Sequence, residues 1–344
     1  MRELVAITGG AGFIGSHLVE GFARNRYAVR VVDNFSTGRL TNLAQVEGPV
    51  EVRQVDVRNL DELTSSFQQA SIVLHHAGLV SVPQSVRDPN YTYEVNATGT
   101  LNVLRAAVRA GVRRVINASS SSVYGNDGAG RQQETAIPCP LSPYGVSKWM
   151  GELYAAQFAR GTSLETVSLR YFNVFGPRQD QDSGDAAVIP RFLRNIADGV
   201  RPTIFGDGQQ TRDFTFVENI VAANLRAATA PLESGTTTNV ATGRGFSLLE
   251  LIRAFNQFFG SDLEPVYEPE RPGDIKHSCA DVSKSEELLG AYQVVPFHEG
   301  LKKTATWLLS APERPGTAQT DPAKEPPTVC CRGALGRTGM SPNA

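Results

Sequence analysis

The chain has 344 residues, of which 41% are hydrophobic and 20% charged, and its formal net charge is −2. That composition fits a globular chain long enough for one large domain or two joined ones. The near-neutral balance argues against nucleic-acid binding through a basic face, and nothing in it points to an anionic membrane surface.

The chain opens on "MRELVAITGG", an apolar run too short for a signal peptide. No apolar run approaches the roughly 20 residues that span a bilayer. The four cysteines, Cys139, Cys279, Cys330 and Cys331, lack metal-ligand spacing, so no metal site is expected. A reducing cytoplasm is the expected location.

The first strand is "LVAIT", and the glycines of "AITGGAGFIGSHL" follow it directly. Gly9 permits a tight turn and Gly12 lets backbone approach a pyrophosphate. Gly15 lets the following helix pack closely, with its N-terminus toward the phosphates. The triplet follows a strand and opens a helix, which is the context that dinucleotide binding requires. Asp33 ends the second strand, "AVRVVD", where an acid would take the adenosine ribose hydroxyls. A carboxylate there would repel a 2′-phosphate, so NAD is expected rather than NADP. The third strand, "VEVRQVDV", brings Asp56 to an adenine amino group, with Val57 packing nearby.

A helix over "LDELTSSFQQA" leads to the fourth strand, "SIVLHHAG", where Ala77 and Gly78 are small enough for a cofactor to lie on the backbone. His75 and His76 sit in or beside an apolar strand and read as structural. The helix "TLNVLRAAVRAG" precedes the fifth strand, "RRVINASSSSVYG", whose serines lie at the carboxyl end where open sheets bind ligands. Then comes "LSPYGVSKW", with Tyr144 four residues ahead of Lys148 on one helix face. Ser142 suits the cap and Pro143 the first turn. By itself the pair fits a solvated surface helix as well as a catalytic site. Beside a dinucleotide and a hydroxyl cluster, it supplies a proton-transfer group next to a hydride acceptor. A sixth strand, "ETVSLRYF", completes the alternation. Near-continuous apolar strands separated by helices predict a doubly wound parallel α/β sheet, a Rossmann domain over residues 1–172.

After Asn173 the alternation loosens. Helices are expected over "PRFLRNIADG", "VENIVAANLRAATA" and "SLLELIRAFNQFFG". Residues 173–310 read as a smaller, mainly nucleotide-sugar-binding domain, with some segments returning to the first. Residues 311–344, rich in Pro, Gly, Thr and Ala, read as a disordered tail.

Taken together, TGGAGFIG, the AGL after the fourth strand, SSxxVYG and SPYxxSK resemble the extended short-chain dehydrogenase/reductase family. The resemblance runs from about Arg2 to Leu309 and is to the nucleotide-sugar 4-epimerase branch. It implies that Tyr144 abstracts a sugar hydroxyl proton, that Lys148 binds the nicotinamide ribose and lowers the Tyr144 pKa, and that Ser120 bridges sugar and tyrosine. A free phenol titrates near pH ~10, so a neighbouring positive charge is needed to make it a base. The resemblance also places Phe13, Ile14, Asn34, Ser36, Thr37, Gly38, Leu79, Asn96, Ser119 and Tyr171 against NAD.

Relatives that dehydrate across C5 and C6 carry Asp-Glu after the bridging residue, and decarboxylases a Glu. Here Ser121 and Ser122 stand there, which leaves oxidation and re-reduction at C4, that is, epimerisation. The resemblance assigns Asn173, Arg212 and Arg271 to the diphosphate and Asp274 to the ribose, and adds Val188, Thr203 and Phe205 to the substrate site. Arg suits phosphate because its fork pairs bidentately. Ser278 stands where a bulky Tyr walls the pocket of enzymes limited to plain hexoses, so room for an N-acetyl group is expected. "RYFNVFGPRQ" and "HSCAD" look most like UDP-N-acetylglucosamine 4-epimerases. The implied substrates are UDP-GlcNAc and UDP-GalNAc, with UDP-Glc and UDP-Gal in addition. The rival readings are a C4 reductase or dehydratase on another nucleotide sugar, or an inactive dinucleotide-binding regulator. The branch also implies a homodimer, through "NYTYEVNATGTLNVLRAAVRAG" and "SPYGVSKWMGELYAAQFAR".

Overall fold

In the computed structural model, which describes residues 2–125, 130–180, 187–270, 276–290 and 294–310, the first apolar run is strand β1 (Leu4–Thr8). Helix α1 (Phe13–Arg24), β2 (Ala28–Asp33), β3 (Val50–Gln54), α2 (Leu60–Ser66) and β4 (Ile72–His75) follow. Short helices α3 (Val82–Arg87) and α4 (Pro89–Tyr93) lead through a π-helical turn, Glu94–Thr98, into α5 (Gly99–Ala110). That helix stops at Gly111, whose φ of 70° is the left-handed conformation a helix C-terminus favours in glycine. Next come β5 (Arg114–Ser120), α6 (Pro143–Gly161) and β6 (Glu165–Tyr171).

Beyond β6 the elements shorten: β7 (Val174–Phe175), α7 (Val188–Ala197), β8 (Thr203–Phe205), β9 (Thr211–Arg212), β10 (Thr215–Phe216), α8 (Val217–Thr229) and β11 (Thr236–Val240). The described part ends with β12 (Phe246–Ser247), α9 (Leu248–Phe259), β13 (Val266–Glu268), β14 (His277–Ser278), α10 (Ser283–Leu289) and α11 (Phe297–Ser310).

The main sheet runs β3-β2-β1-β4-β5-β6-β11, every pair parallel. Its order reverses between β1 and β4, and that switch point is where open α/β sheets take ligands. Strands β1 and β4 are buried almost throughout because helices cover both faces, which is why they read as unbroken apolar runs. Edge strand β3 is mostly exposed, and its sequence mixes Val with Glu, Arg and Gln. Leu18, Phe22, Ile220 and Ala223 of α1 and α8 fill one face, and Leu63, Phe67, Val103 and Leu104 the other. Fully burying each of the larger side chains stabilises the fold by about 1.5–3 kcal/mol.

One strand is invisible to hydrophobic patterning. β11, TTTNV, is nearly all polar, yet Thr238 and Asn239 are fully buried. The Thr238 hydroxyl and the Asn239 N–H both donate to Glu134, at 3.1 and 2.7 Å, so the burial leaves these groups satisfied. With α8, this strand brings sequence from beyond Asn173 back onto the main sheet. A second core, built on Phe175, Phe192, Phe216, Phe255 and Phe297, belongs to α7, α9, α11 and the short strands. Among the described residues no helix is long and apolar enough to cross a membrane. The tail expected over residues 311–344 lies outside the described residues, as do Arg271 and Asp274.

Candidate active site

The glycine loop leaves β1 at Gly9, whose φ of 68° already favours glycine. A Cβ there would lie 2.6 Å from the backbone nitrogen of Ala77, so loop and β4 end touch backbone to backbone. A Cβ on Gly15 would lie 2.0 Å from the Gly9 carbonyl oxygen, which is the close helix packing the sequence implies. At Gly12 the sole neighbour of a Cβ would be the Gly9 oxygen at 3.2 Å. Gly12 caps α1 with no side-chain hydrogen bond, and the first turn has no acidic residue. Those first N–H groups and the positive helix end suit a pyrophosphate.

Asp33 holds this loop in place. Its carboxylate accepts from the N–H of Ala11 at 2.9 Å and of Phe35 at 2.8 Å, and a Cβ on Gly38 would come within 2.9 Å of it. Asn34 donates to Asp56 at 2.9 Å, and its carbonyl accepts from the Ser36 N–H at 3.0 Å. Arg58 pairs with Asp56 and holds its carboxyl far below the usual range. Ser36 and Thr37 are exposed beside these groups, and Val57 is buried. Phe13 and Ile14 are half-buried in the first turn of α1.

The two histidines are internal braces. The Thr100 hydroxyl donates to the Asn96 carbonyl at 2.6 Å, so it accepts from His75 Nε2 at 2.9 Å. His75 Nδ1 then takes the Thr8 hydroxyl proton at 2.8 Å, and both ring nitrogens are used. Burial, with Lys148 nearby, pushes His75 down to about 3. His76 Nε2 meets the Tyr171 hydroxyl at 2.8 Å, and Asn224 donates to that hydroxyl at 2.8 Å. The Tyr171 phenol is therefore engaged inside the fold.

Asn96, in the π-helical turn, ties two motifs together. Its oxygen accepts from the Leu79 N–H at 2.8 Å, and its nitrogen donates to the Leu79 carbonyl at 2.9 Å and to Ser147 Oγ at 3.0 Å. It thus fixes the Ala77–Leu79 segment against the helix that carries Tyr144 and Lys148. Helix α6 starts as the sequence predicts: Ser142 Oγ accepts from the Gly145 N–H at 3.1 Å, and Pro143 occupies the first turn. Gly145 has a role that sequence reading missed. A Cβ there would lie 2.7 Å from the Ser122 carbonyl oxygen, so only glycine lets α6 press on the turn after β5.

Successive side chains on a strand point to opposite faces, and β5 uses this to sort its serines. Ser119 donates to Glu152 at 2.5 Å, inside the fold, while Ser120 is hydrogen-bonded to Tyr144. Glu152 also holds Arg170 through two bonds of 2.8 and 2.7 Å, an ion pair almost wholly buried between α6 and β6. Lys148 Nζ donates to the Ala118 carbonyl at 3.0 Å, and a Cβ on Gly78 would come within 3.5 Å of it. Its ammonium lies 6.0 Å from the centre of the Tyr144 ring. Burial lowers Lys148 to about 8 and raises the Tyr144 phenol, against the opposing Ser120 hydrogen bond. Without a cofactor the Tyr144 phenol is thus protonated at neutral pH. Ser121 and Ser122 follow in a short turn, and Ser122 Oγ is buried without a hydrogen-bond partner.

The remaining substrate candidates lie on the short elements. Asn173 sits at a positive φ of 33°, and its amide donates to the Asp213 carbonyl at 3.3 Å. Arg212 and Ser278 are neighbours on β9 and β14, and Ser278 Oγ donates to Gln132 at 3.3 Å. Thr203 and Phe205 pair with β13, and Val188 opens α7 against the second core. A cavity of about 160 Å³ is lined by Phe205, Gln210, Lys276 and His277, on this side of the molecule rather than at Tyr144. Glu152, Arg170, Gln132 and Asp213 were not foreseen. For Glu152, Arg170 and Asp213 the one sequence signal is a charged residue beside buried ones; Gln132, between exposed neighbours, carries none.

Comparison with known proteins fits this geometry. The profile of the NAD dependent epimerase/dehydratase family matches residues 5–241. A UDP-glucose 4-epimerase of Mycolicibacterium smegmatis is 38% identical over 309 residues, covering 88% of this chain and 97% of that protein. The solved UDP-N-acetylglucosamine 4-epimerase of Methanobrevibacter ruminantium M1, in complex with UDP-N-acetylmuramic acid, is 37% identical with a TM-score of 0.85, covering 90% of this chain and 99% of that one. The UDP-glucose 4-epimerase of Thermus thermophilus, solved with NAD, is 35% identical with a TM-score of 0.81 over 90% and 99% of the two chains. A glycine cradle at the sheet's switch point, a Ser–Tyr–Lys group beside it and matches over nearly the whole described chain lead to one assignment: the chain belongs to the NAD dependent epimerase/dehydratase family.

Proposed function

We propose that the protein interconverts the C4 epimers of UDP-sugars, UDP-GlcNAc with UDP-GalNAc and also UDP-Glc with UDP-Gal. The observation that carries this reading is the meeting of Ser120, Tyr144 and Lys148 at the carboxyl end of β5, with Ser121 and Ser122 in place of any carboxylate. A dehydration across C5 and C6 or a decarboxylation would want an acid there; oxidation and re-reduction at C4 do not.

Tyr144 takes the proton of the sugar O4 and later returns it. Ser120, hydrogen-bonded to Tyr144, bridges to the same oxygen and passes the proton between them. Lys148, held by the Ala118 carbonyl, presents its ammonium to a nicotinamide ribose and to the forming phenolate. NAD, when bound, supplies hydride acceptance at C4, hydride return to the opposite face, and the additional positive charge that the buried phenol needs. Gly9, Gly12 and the first turn of α1 would hold its pyrophosphate, and the Asp33–Gly38 segment with Asp56 its adenosine end. Asn173 and Arg212 hold the diphosphate of the substrate, so the nucleotide stays fixed while the 4-keto sugar turns over. Ser278 leaves room for an N-acetyl group.

We further assign the sheet portion to the cofactor, the short elements after Asn173 to the nucleotide sugar, and the protein to the cytoplasm. A homodimer through α5 and α6 is supported by apolar side chains those helices expose, Val108 at 41% and Leu153 at 52%. The functional test is incubation of the purified protein with UDP-GlcNAc, without added reductant, followed by proton NMR. UDP-GalNAc should appear to a stable ratio. Conversion of UDP-galactose alone would keep the mechanism and sink the N-acetyl claim, and a released 4-keto product would replace epimerisation by dehydration. Ser278→Tyr should suppress N-acetylated turnover and spare the plain hexose; equal loss of both would remove the gate.

A further inference from the structure

Asp213 is fully buried, and among the described residues it forms no ion pair. Its charge is met by neutral donors. One oxygen accepts from the Thr242 N–H at 2.9 Å and the Thr242 hydroxyl at 2.7 Å; the other accepts from the N–H groups of Gly243 at 2.9 Å and Ala280 at 3.3 Å. The backbone of the same residue is equally occupied. Its N–H donates to the Ser278 carbonyl at 2.8 Å, and its carbonyl accepts from the Asn173 side chain at 3.3 Å. Arg212 precedes it directly.

Four separate stretches of chain therefore meet on one residue: Asn173, the β9 strand, the Thr242–Gly243 turn and the Ser278–Ala280 segment. Three of those carry a residue assigned to the nucleotide sugar. Neither β9 nor β14 exceeds two residues, so ladder hydrogen bonds alone give their side chains little registration. A carboxylate is acceptor-only and can satisfy donors on both oxygens at once. An asparagine cannot. Whichever way its amide is turned, its NH2 confronts one of the two donor pairs.

We infer that Asp213 is a positioning residue of the substrate site: it sets Asn173, Arg212 and Ser278 relative to one another. Affinity for the nucleotide diphosphate and the choice between sugars would both depend on it. The inference rests on the proposed nucleotide-sugar function, so its test includes a reading that needs no turnover.

Two variants are compared with the NAD-loaded native protein. Asp213→Asn disrupts the whole knot, and Thr242→Val removes one hydroxyl donor while keeping its N–H. UDP affinity is measured by titration calorimetry, and KM, kcat and retained NAD are measured with UDP-GlcNAc and UDP-Glc. UDP should bind about tenfold more weakly in Asp213→Asn and about threefold more weakly in Thr242→Val, in line with the loss of hydrogen bonds to a charged group. KM should rise in step, the ratio of kcat/KM between the two sugars should shift, and bound NAD should be unchanged. Should Asp213→Asn not fold, Thr242→Val carries the test, since it keeps the bonds from the Thr242 and Gly243 N–H groups to the carboxylate. Unaltered UDP affinity in a folded Thr242→Val protein would overturn the inference. So would loss of NAD and kcat with KM unchanged, which is the mark of general structural damage. If no sugar is turned over by the native protein while UDP affinity still falls in the variants, the epimerase reading fails and the positioning role stands.

Discussion

The two sides of the molecule are built by different means. The main sheet has strands of four to seven residues in an unbroken parallel ladder, and its candidate site is set mostly by backbone: the loop from Gly9, the N–H groups opening α1, the Ala118 carbonyl that holds Lys148. The short elements after Asn173 have strands of two or three residues, and side chains do the aligning there. Asp213 is one case. Asn256 is another: its oxygen accepts from the Ser261 hydroxyl at 2.8 Å and the Leu263 N–H at 3.2 Å, fixing the exit of α9. A ladder spreads a perturbation over many hydrogen bonds, whereas a knot on one side chain passes it to every segment tied there. Chemistry placed on the sheet should therefore be lost by changing the reacting group itself, and substrate recognition by changing groups that touch nothing of the substrate.

The largest effect lies on the sheet side. Tyr144→Phe keeps the ring but removes the proposed proton-transfer group, and turnover should fall by about 10²–10⁴. Bound NAD and thermal stability should stay close to native, because the ladder does not depend on that hydroxyl. A Tyr144→Phe protein that retained more than a tenth of the native rate would move the base elsewhere.

Glu152→Ala probes a place where the sheet side does rely on a side-chain knot. It strands Arg170, whose side chain is 5% exposed, and should cost about 3–5 kcal/mol by urea unfolding. The double change Glu152→Leu with Arg170→Met should cost much less, since the charge that needs a partner goes with it. Equal losses for the single and double changes would show that packing, not charge, matters at this spot. Smaller again is Gly9→Ala. The strained φ of 68° and the 2.6 Å approach to Ala77 should destabilise the loop by about 1–3 kcal/mol and weaken NAD retention.

The same division explains what could be read from the sequence. The glycine loop, Asp33, and the Ser142–Lys148 helix start are local patterns, each contained in a dozen residues or fewer, and each is found where its spacing puts it. Strand alternation decides between Ser119 and Ser120, but only once the strand is known to end there. Glu152 and Arg170 meet across 18 residues and two elements, and Asp213 finds its donors 29 to 67 residues away. No window of sequence contains those pairs. β11 was missed for a related reason: its threonines and asparagine are buried because Glu134 lies more than 100 residues earlier to receive them.

The smallest effect isolates the charge of Lys148 from its neighbour Tyr144. Burial holds Lys148 at about 8 in the cofactor-free protein, against about 10.4 for a free lysine. Between those values the unfolded chain binds more protons at this site than the folded one, so stability should rise with pH through the window. From pH 7 to 9 the gain attributable to Lys148 should be about 1 kcal/mol. The comparison is urea unfolding of the cofactor-free protein and of Lys148→Met at both pH values, which cancels other titrations common to the two. The phenol of Tyr144 is raised and stays protonated across this range, so it does not blur the reading. A native protein that tracked the methionine variant at both pH values would mean that Lys148 is as well solvated as a surface lysine. Its ammonium would then have too little leverage on Tyr144, and the positive charge needed for a phenolate would have to come almost wholly from the bound cofactor.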